Sequence, residues 1–495
     1  MKNHVTTISV NATVAGKRLA VEGATLSLGV NDIPTIELHC APSDASAAKP
    51  LSPVVVKPKL SDFSELYNDL AKKAEGMEET GNVSIVVHDH GGAEDGSDRV
   101  QDISLNGWVL TGAGLSSVSA TAAPYLSVVL QHPICNLMKF GSIYETAKTS
   151  ENDKLDEATA GADTFLKIVD AVYDCVNDTI EYWPVDSGKG LAEQFRAGLK
   201  SNKPSEYLSE SATSLFLANG DLKKKIAQAI GRMVIPNDGG SSTWDMIVST
   251  SGQLLQSVVQ DESNNFTTGT LLLEPTQPWK IASITLDEKD CYQTEVPGMN
   301  PYRIAGVMAR KRGPFNDLLS LGLIRNGNAC EKGTNTDVLY SPVENPSASD
   351  GRIMKIAAPA ILDSAFRRDA QHGATIALGT FDTSKESVDG YNEVVEKYAK
   401  AVYEISVRSM VRATATMAIW FKDGSERLIL PGQTCKFVSG GKPVYYGYIQ
   451  RVVHNVSISG VNSTTVAMSH VRPTPGLEGS GGTLVEAGAP NAAYT

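Results

Sequence analysis

Two histidines and an aspartate form the most metal-like cluster of the sequence: His88, Asp89 and His90, followed by two glycines. Imidazole and carboxylate groups are ligands that zinc accepts. In an extended strand, however, successive side chains point to opposite faces, so His88 and His90 would share one side with Asp89 opposite. No third ligand lies nearby in the sequence. We therefore predict a polar loop at the tip of a hairpin, and not a metal site.

Other chemically active residue types lack the spacing of known catalytic motifs. The chain has eight histidines, but it contains no G-x-S-x-G elbow, no H-E-x-x-H, no P-loop and no dinucleotide-binding glycine pattern after a strand. A triad formed by residues distant in sequence would leave no such pattern. We predict no catalytic, cofactor-binding or metal-binding residue, no cofactor and no enzyme activity.

The remaining polar and aromatic candidates have structural interpretations. His454 shares the side of a strand with Val452 and Val456, which favours a hydrogen-bonded core or interface histidine, and His132 has a similar strand context. Trp244-Asp245 is typical of a helix start with an acid in the first turn. Exposed tyrosines could bind a sugar, but the spacing of three of them favours strand packing: Tyr445, Tyr446 and Tyr448.

Composition limits the class of protein. At 495 residues with a formal net charge of −12, the chain is long enough for several domains and is a poor match to a sequence-specific nucleic-acid-binding surface. The basic run 223–225 is interpreted as a solvated helix face. The cysteines show no metal-ligand spacing, which favours a reducing cytosol, and no apolar run is long enough for membrane insertion. These cysteines are Cys40, Cys135, Cys175, Cys291, Cys330 and Cys435.

Strand patterns dominate both ends of the chain. Residues 444–459 and 464–471 predict a long hairpin, in which Tyr448, Val452, Val456 and Ile458 face inward, and the Gly-Gly at 440–441 predicts a further reversal after 435–438. Residues 6–40 predict a meander, followed by a helix capped at Ser61 or Asp62 and by strands at 83–87, 102–111 and 125–131. This pattern is typical of a β-barrel or closed sheet with one helix over it.

The middle of the chain changes character at about residue 152, where helical spacing begins. A helix capped by Thr243, a strand at 302–311 and a helix at 391–407 follow. We predict an α+β fold with a first β-barrel domain at 1–145, a helical insert at 146–240, a mixed α/β domain at 241–350, a second β-barrel domain at 351–473 and a flexible tail at 474–495. Each β-rich region is expected to carry one helix on its own sheet.

Four segments together resemble the baseplate hub proteins of contractile phage tails and phage-derived bacteriocins. They are ISVNATVAGKRLAVEGATLSLGVNDIPTIELHCAP, GWVLTGAGLSSVSATAAPYLSVVLQHPICNLMKFGSIYET, STWDMIVSTSGQLLQSVVQDESNNFTTGTLLLEPTQPWK and VYYGYIQRVVHNVSISGVNSTTVAMSHVRP. The resemblance spans most of the chain in order. It rests on general sequence patterns and not on catalytic signatures.

The resemblance implies a homotrimeric ring in which each subunit contributes two tube-type barrels. Such a trimer joins the hexameric ring of the tail tube protein to a trimeric central spike protein, contacts baseplate wedge proteins and lines the channel for DNA or the tape measure protein. The implied location is the virion tail baseplate, assembled in the host cytoplasm. By the same resemblance, strands at 19–38 and 444–471 lie in the ring wall, acidic residues facing the lumen would repel DNA, and Leu484 and Val485 would anchor the tail on the spike.

The sequence is also compatible in part with three other classes of protein. A receptor- or carbohydrate-binding tail protein would also be β-rich and trimeric, but usually shows fibrous repeats, and this sequence shows none. A cell-wall-degrading tail enzyme requires a clustered acid pair or a metal site. A fused type VI secretion spike requires a long β-helical extension after Pro473.

Overall fold

The computed structural model describes residues 5–44, 59–91, 96–116, 124–138, 167, 170, 204–210, 242–253, 255, 257–260, 266–269, 283–295, 304–312, 336–341, 344–347, 349–358, 367–368, 380–381, 385–409, 412–458 and 460–473. The predicted helical insert lies outside these residues except at 167, 170 and 204–210. The predicted tail, 474–495, lies outside them entirely. The described part is mostly β-sheet with few helices, an α+β fold.

The described strands, in chain order, are β1 (Val5–Val14), β2 (Lys17–Gly29), β3 (Thr35–Asp44), β4 (Thr80–His90), β5 (Arg99–Ser116), β6 (Tyr125–Gln131), β7 (Leu208–Glu210), β8 (Ser257–Gln260), β9 (Phe266–Gly269), β10 (Ile284–Asp287), β11 (Cys291–Glu295), β12 (Ile304–Lys311), β13 (Thr336–Tyr340), β14 (Arg352–Ile356), β15 (Arg367–Arg368), β16 (Thr380–Phe381), β17 (Ala413–Met417), β18 (Thr434–Ser439), β19 (Lys442–Ser457) and β20 (Ser463–Pro473). The described helices are α1 (Ser64–Ala74), α2 (Pro204–Tyr207), α3 (Thr243–Gln253) and α4 (Lys385–Ser409), with 3-10 turns at Leu60–Phe63, Pro133–Met138 and Glu288–Asp290.

The chain divides into two compact units, each built from three separate pieces of sequence. Unit 1 comprises Met1–Asn136, Pro278–Pro297 and Arg412–Thr474; unit 2 comprises the pieces between and after them. The predicted C-terminal region is therefore shared, because β14 and α4 lie in unit 2 whereas β17 to β20 lie in unit 1. The predicted domain limits themselves stay predictions.

The first six strands form a closed antiparallel ring, which we call the first ring. Its order is β1-β4-β5-β6-β3-β2, and β1 pairs with β2 to complete it. Alternating residues point inward, and these apolar side chains are almost fully buried because each strand places every second residue in the interior; examples are Leu26, Ile36, Leu38, Ile85 and Leu130. The predicted closed sheet of the N-terminal region is confirmed.

Helix α1 lies on the first ring against β5. Its apolar stripe is buried, with Phe63 and Leu70 at 0 % exposure, as expected for residues spaced at a helical period. The Asp62 carboxylate accepts a hydrogen bond of 2.8 Å from the Lys59 backbone N–H. The predicted helix over this sheet is confirmed, but neither Ser61 nor Asp62 caps it: the cap residue is Lys59 for the 3-10 turn and Phe63 for α1, and Asp62 supplies the carboxylate of a capping box.

A second group of strands, the second ring, is closed by one bent segment. The pairing order is β10-β18-β19-β20-β17-β11. Strands β10 and β11 are joined only by the turn Glu288–Asp290. The parallel and antiparallel pairings around the group show that both strands run in the same direction. Residues 284–295 therefore form one kinked strand, which we call the closing strand. Its first half pairs with one end of the group, and its second half pairs with the other end.

The two rings share one continuous sheet because β2 pairs with β19. Residues Gly23 to Gly29 pair with Ser457 to Arg451 in an antiparallel register. Strand β19 also pairs with β18 through its first half and with β20 along most of its length. The predicted hairpin of β19 and β20 is confirmed, but Ile458 is 57 % exposed, so its predicted inward position is wrong. It follows the last residue of β19, where strand alternation stops.

The described residues of unit 2 form three small sheets: β13-β12-β14, β15-β16 and β7-β9-β8. Helix α4 packs on β12 and β13. The prediction that this helix covers the sheet of its own C-terminal region is therefore wrong, because an amphipathic stripe specifies an apolar partner without identifying it.

In α3, the capping residue is Ser242 and not the predicted Thr243, since Ser242 and Asp245 exchange reciprocal hydrogen bonds. None of the described helices has the length and apolar character that a membrane crossing requires.

Candidate functional site

The metal-like cluster lies at the end of β4 with the alternation that the sequence predicts. The rings of His88 and His90 stack on one side with 6.1 Å between centroids, and Asp89 is buried on the other. His90 Nδ1 is 3.1 Å from Asp98 Oδ2. The Gly91 backbone N–H, and next His90, lower the pKa of the Asp98 carboxyl. Across the described residues, no three potential ligands are arranged to hold a metal ion.

Both strand histidines are buried in the core, as their sequence positions indicate. His132 Nδ1 accepts a hydrogen bond of 3.2 Å from the Ile134 backbone N–H, and its ring meets Trp108 edge-on. His454 is 1 % exposed, and its ring lies 4.9 Å from that of Phe421. Burial lowers the pKa of His454 to about 3, because an imidazolium would lose its hydration without gaining a counter-charge.

The Thr464 hydroxyl links His454 to the backbone of Trp420. Thr464 Oγ1 donates to the Trp420 carbonyl at 3.1 Å and accepts from the Trp420 N–H at 3.1 Å. His454 Nδ1 lies 2.8 Å from the same oxygen. A hydroxyl has one hydrogen to donate, so Thr464 donates it either to the Trp420 carbonyl or to His454 Nδ1, and the tautomer of the imidazole follows from that choice. Both residues hold the loop that begins at Trp420.

The three tyrosines predicted to pack do so, since none is more than 7 % exposed. Tyr445 stacks on Phe437 with 4.8 Å between ring centroids, and burial raises the pKa of its hydroxyl. Consecutive residues are buried in the first half of β19 because the strand is flanked by β18 and β20 there and its register shifts between Tyr446 and Tyr448. These buried rings leave no face on which a sugar could stack.

The described cysteines are free thiols in structural positions. Cys40, Cys135 and Cys435 are buried, and Cys291 is half-buried. Burial raises the pKa of the Cys40 thiol to about 12 and that of Cys291 to about 11. Thiolate nucleophiles need a lowered pKa, so neither Cys40 nor Cys291 is set up for nucleophilic chemistry.

The most specialised geometry of unit 1 is the seam between β2 and β19. A Cβ atom on Gly23 would lie 2.9 Å from the Val456 carbonyl oxygen, so only glycine allows this close approach. Across the seam, Thr25 Oγ1 donates to Asn455 Oδ1 at 3.3 Å, and Arg451 Nη2 donates to Ser27 Oγ at 2.9 Å. These hydrogen bonds stitch the two rings into one wall.

One face of this wall carries a row of polar side chains that crosses seven strands. Strand registers place the residues opposite one another in the order Gln131, Thr35, Ser27, Val453, Thr465, Thr416 and Gln293. With strands about 4.8 Å apart, the row is roughly 30 Å long. Six of the seven side chains are hydroxyls or amides, and none is charged. We call this surface the wall face.

A buried polar group forms the second link between the rings. Gln101 of β5 is 1 % exposed, and its Oε1 accepts from the Phe421 N–H at 2.7 Å. Asp423, 4 % exposed, accepts from the backbone N–H groups of Thr285, Ser425 and Arg427. The Asp-Gly pair at 423–424 marks a turn in the sequence, but nothing in the sequence signals that Gln101 is its neighbour in space.

Comparisons with known proteins give likenesses of structure only. A tail protein from Neisseria meningitidis superposes with a TM-score of 0.43 at 8% identity, covering 94% of this chain and 96% of that one. A 43 kDa prophage tail protein from Shewanella oneidensis gives 0.42 at 9% identity, covering 93% and 97%. An E. coli type VI secretion component, described as similar to T4 tail proteins, gives 0.33 at 8% identity, covering 94% and 76%.

No protein-family model and no curated protein matches this sequence. All three TM-scores lie below 0.5. The structural neighbours are tail proteins and a secretion-system component. These likenesses assign no role to this chain.

Proposed function

We propose that this chain is a structural baseplate hub of a contractile tail. In this role it forms a homotrimer that joins the hexameric tail tube to a trimeric central spike, contacts baseplate wedge proteins and lines the passage for DNA or the tape measure protein. It acts without enzymatic activity or a cofactor, in the virion tail baseplate, after assembly in the host cytoplasm. The four segments that resemble hub proteins motivate the proposal.

The observation that carries the proposal is the presence of two strand rings in one chain, fused into a single sheet by β2 and β19. Three copies would present six rings, so a three-fold assembly could abut a six-fold tube. A wall of this kind transmits force through backbone hydrogen bonds along its strands. The buried histidines and tyrosines and the raised pKa values of the Cys40 and Cys291 thiols are consistent with a mechanical role.

The wall face is the surface that we assign to the channel. Its seven-strand row is uncharged, although the chain carries a formal net charge of −12. In this form of the proposal, a passing polyanion is released because the row itself carries no positive charge and the Arg451 cation beside it is engaged with Ser27, and not because a dense acidic lining repels it. The acidic lumen expected from net charge is therefore not part of the proposal.

The test is the solution mass of the purified chain by light scattering, with negative-stain images of the same sample. We expect three times the chain mass and a ring with a central channel. A monomer that also fails to bind any trimeric spike protein would overturn the proposal. Release of dye from labelled cell wall would in turn favour the cell-wall-degrading enzyme, and binding on a glycan array would favour the carbohydrate-binding protein.

A further inference from the structure

The closing strand, residues 284–295, is the one piece of the second ring that has no covalent neighbour in that ring among the described residues. Unit 1 holds it as the isolated piece Pro278–Pro297, and the chain on both sides of this piece belongs to unit 2. By contrast, β18, β19 and β20 follow one another in sequence as hairpins. The closing strand is therefore attached to the ring by noncovalent contacts alone.

The buried apolar contacts are concentrated in the first half of the strand. Ile284 and Leu286 are buried at 0 % and 3 % exposure, and the Thr285 N–H donates to the Asp423 carboxylate at 2.8 Å. The second half, β11, has four exposed residues in succession, with Tyr292 67 % exposed, and its register with β17 is interrupted after Cys291. Its attachment consists mainly of backbone hydrogen bonds to β17.

The kink between the halves is held by polar groups. The Asp287 carboxylate accepts from the Lys289 N–H at 3.0 Å, and Cys291 Sγ donates to the Asp287 carbonyl at 3.4 Å. Ser439, at the tip of the β18–β19 hairpin, donates to the Glu288 carboxylate. Water can replace each of these bonds, whereas buried apolar area cannot be replaced in this way.

We propose that the closing strand is a detachable clasp: it leaves its slot between β17 and β18 as one piece while the rest of the second ring stays folded. Regions with few buried apolar contacts open at lower free energy than the global unfolding reaction. Displacement of the chain flanking residues 284–295 would be transmitted to the ring at this point. The inference does not depend on the proposed function.

Hydrogen exchange followed by mass spectrometry tests the clasp on the full chain. We expect peptides that cover residues 284–295 to exchange about tenfold or more faster than peptides from β19 and β20, and to do so together. Equal exchange rates in the closing strand and in β19 would overturn the proposal. Independent exchange of its two halves would overturn it as well.

A reversible lock gives a second, independent readout. Glu295 and Thr414 are register partners in β11 and β17, so the double variant Glu295→Cys, Thr414→Cys, made with Cys291→Ser, should form a disulfide within one chain. Oxidation is expected to slow exchange of the closing strand to that of β19, and a reductant should reverse the effect. The matched control is Ser84→Cys with Ser104→Cys, register partners in β4 and β5, which should leave the closing strand unaffected. A covalent dimer on a denaturing gel would show that a second copy supplies the strand, which would overturn the proposal.

Discussion

The imidazole of His454 is a buried group whose protonation opposes folding. Its pKa is lowered from 6.5 to about 3 by burial, so the neutral form is the stable one in the folded chain. The contribution of the neutral imidazole to the free energy of unfolding is complete above pH 6.5. It is lost as the pH falls toward 3, at up to about 1.4 kcal/mol per pH unit. Urea unfolding at pH 7.5 and pH 5 should therefore show lower stability at pH 5.

The variant His454→Asn isolates this effect, because its amide can still hydrogen-bond to Thr464 as donor or acceptor but cannot titrate. We expect the variant to be less stable at pH 7.5, since it loses contact with Phe421, and to show a smaller loss between pH 7.5 and pH 5. The same change at the exposed His90 serves as the control. An unchanged pH dependence in His454→Asn would contradict the assignment.

The Asp423 carboxylate organises a turn with one oxygen and holds the closing strand with the other. Oδ1 accepts from Ser425 and Arg427, and Oδ2 accepts from the Thr285 N–H. In Asp423→Asn, a donor would face the Thr285 N–H, so the free energy of unfolding should fall by about 1–3 kcal/mol. Ser425→Ala removes only one hydroxyl bond and should cost about 0.5–1.5 kcal/mol. Thermal denaturation of both variants ranks them, and equal losses would argue against this division of roles.

At the scale of elements, the pairing of β2 with β19 requires the absence of a side chain at Gly23. A Cβ atom there would lie 2.9 Å from the Val456 carbonyl oxygen, whereas nothing lies within 4 Å of a Cβ atom placed on Gly114 in β5. We expect Gly23→Ala to destabilise unit 1 by about 1–3 kcal/mol. The control Gly114→Ala should leave stability unchanged or raise it by up to about 1 kcal/mol. Denaturant midpoints of the two variants compare them directly.

Alternation and turn residues predicted the strands but not their distant partners. The pattern Val452, His454 and Val456 indicated a half-buried strand, and the glycines at 440 and 441 have the positive φ of a tight reversal. Nothing local in β2 identifies β19, because strand register depends on complementary faces that meet only in the folded chain. The closing strand was also missed as a unit, since its two short halves each resemble an isolated strand. The same limit applies to Gln101 and its partners around Phe421.

At the scale of the whole molecule, the position of the wall face in the proposed trimer determines how added charge would act. Ser27→Lys with Thr465→Lys places two cations per chain on this face, or six per trimer. If all six lysines contact one DNA duplex, the logarithm of the binding constant should fall with the logarithm of the salt concentration at a slope of about −5. The control Ser9→Lys with Thr13→Lys, on β1, which is not one of the seven strands of the row, should give a slope nearer −2. Filter-binding titrations at several salt concentrations measure both slopes.

The seam between β2 and β19 also sets a condition on how the protein is made. The edge of β2 that bears Ser27 emerges from the ribosome 424 positions before Arg451, its hydrogen-bonding partner. At bacterial elongation rates this interval lasts roughly 20 to 80 s. During that time the unpaired edge of β2 can pair with strands of other chains that are being synthesised nearby. Premature termination before β19 would leave the edge permanently open, so truncated chains should be found in the insoluble fraction.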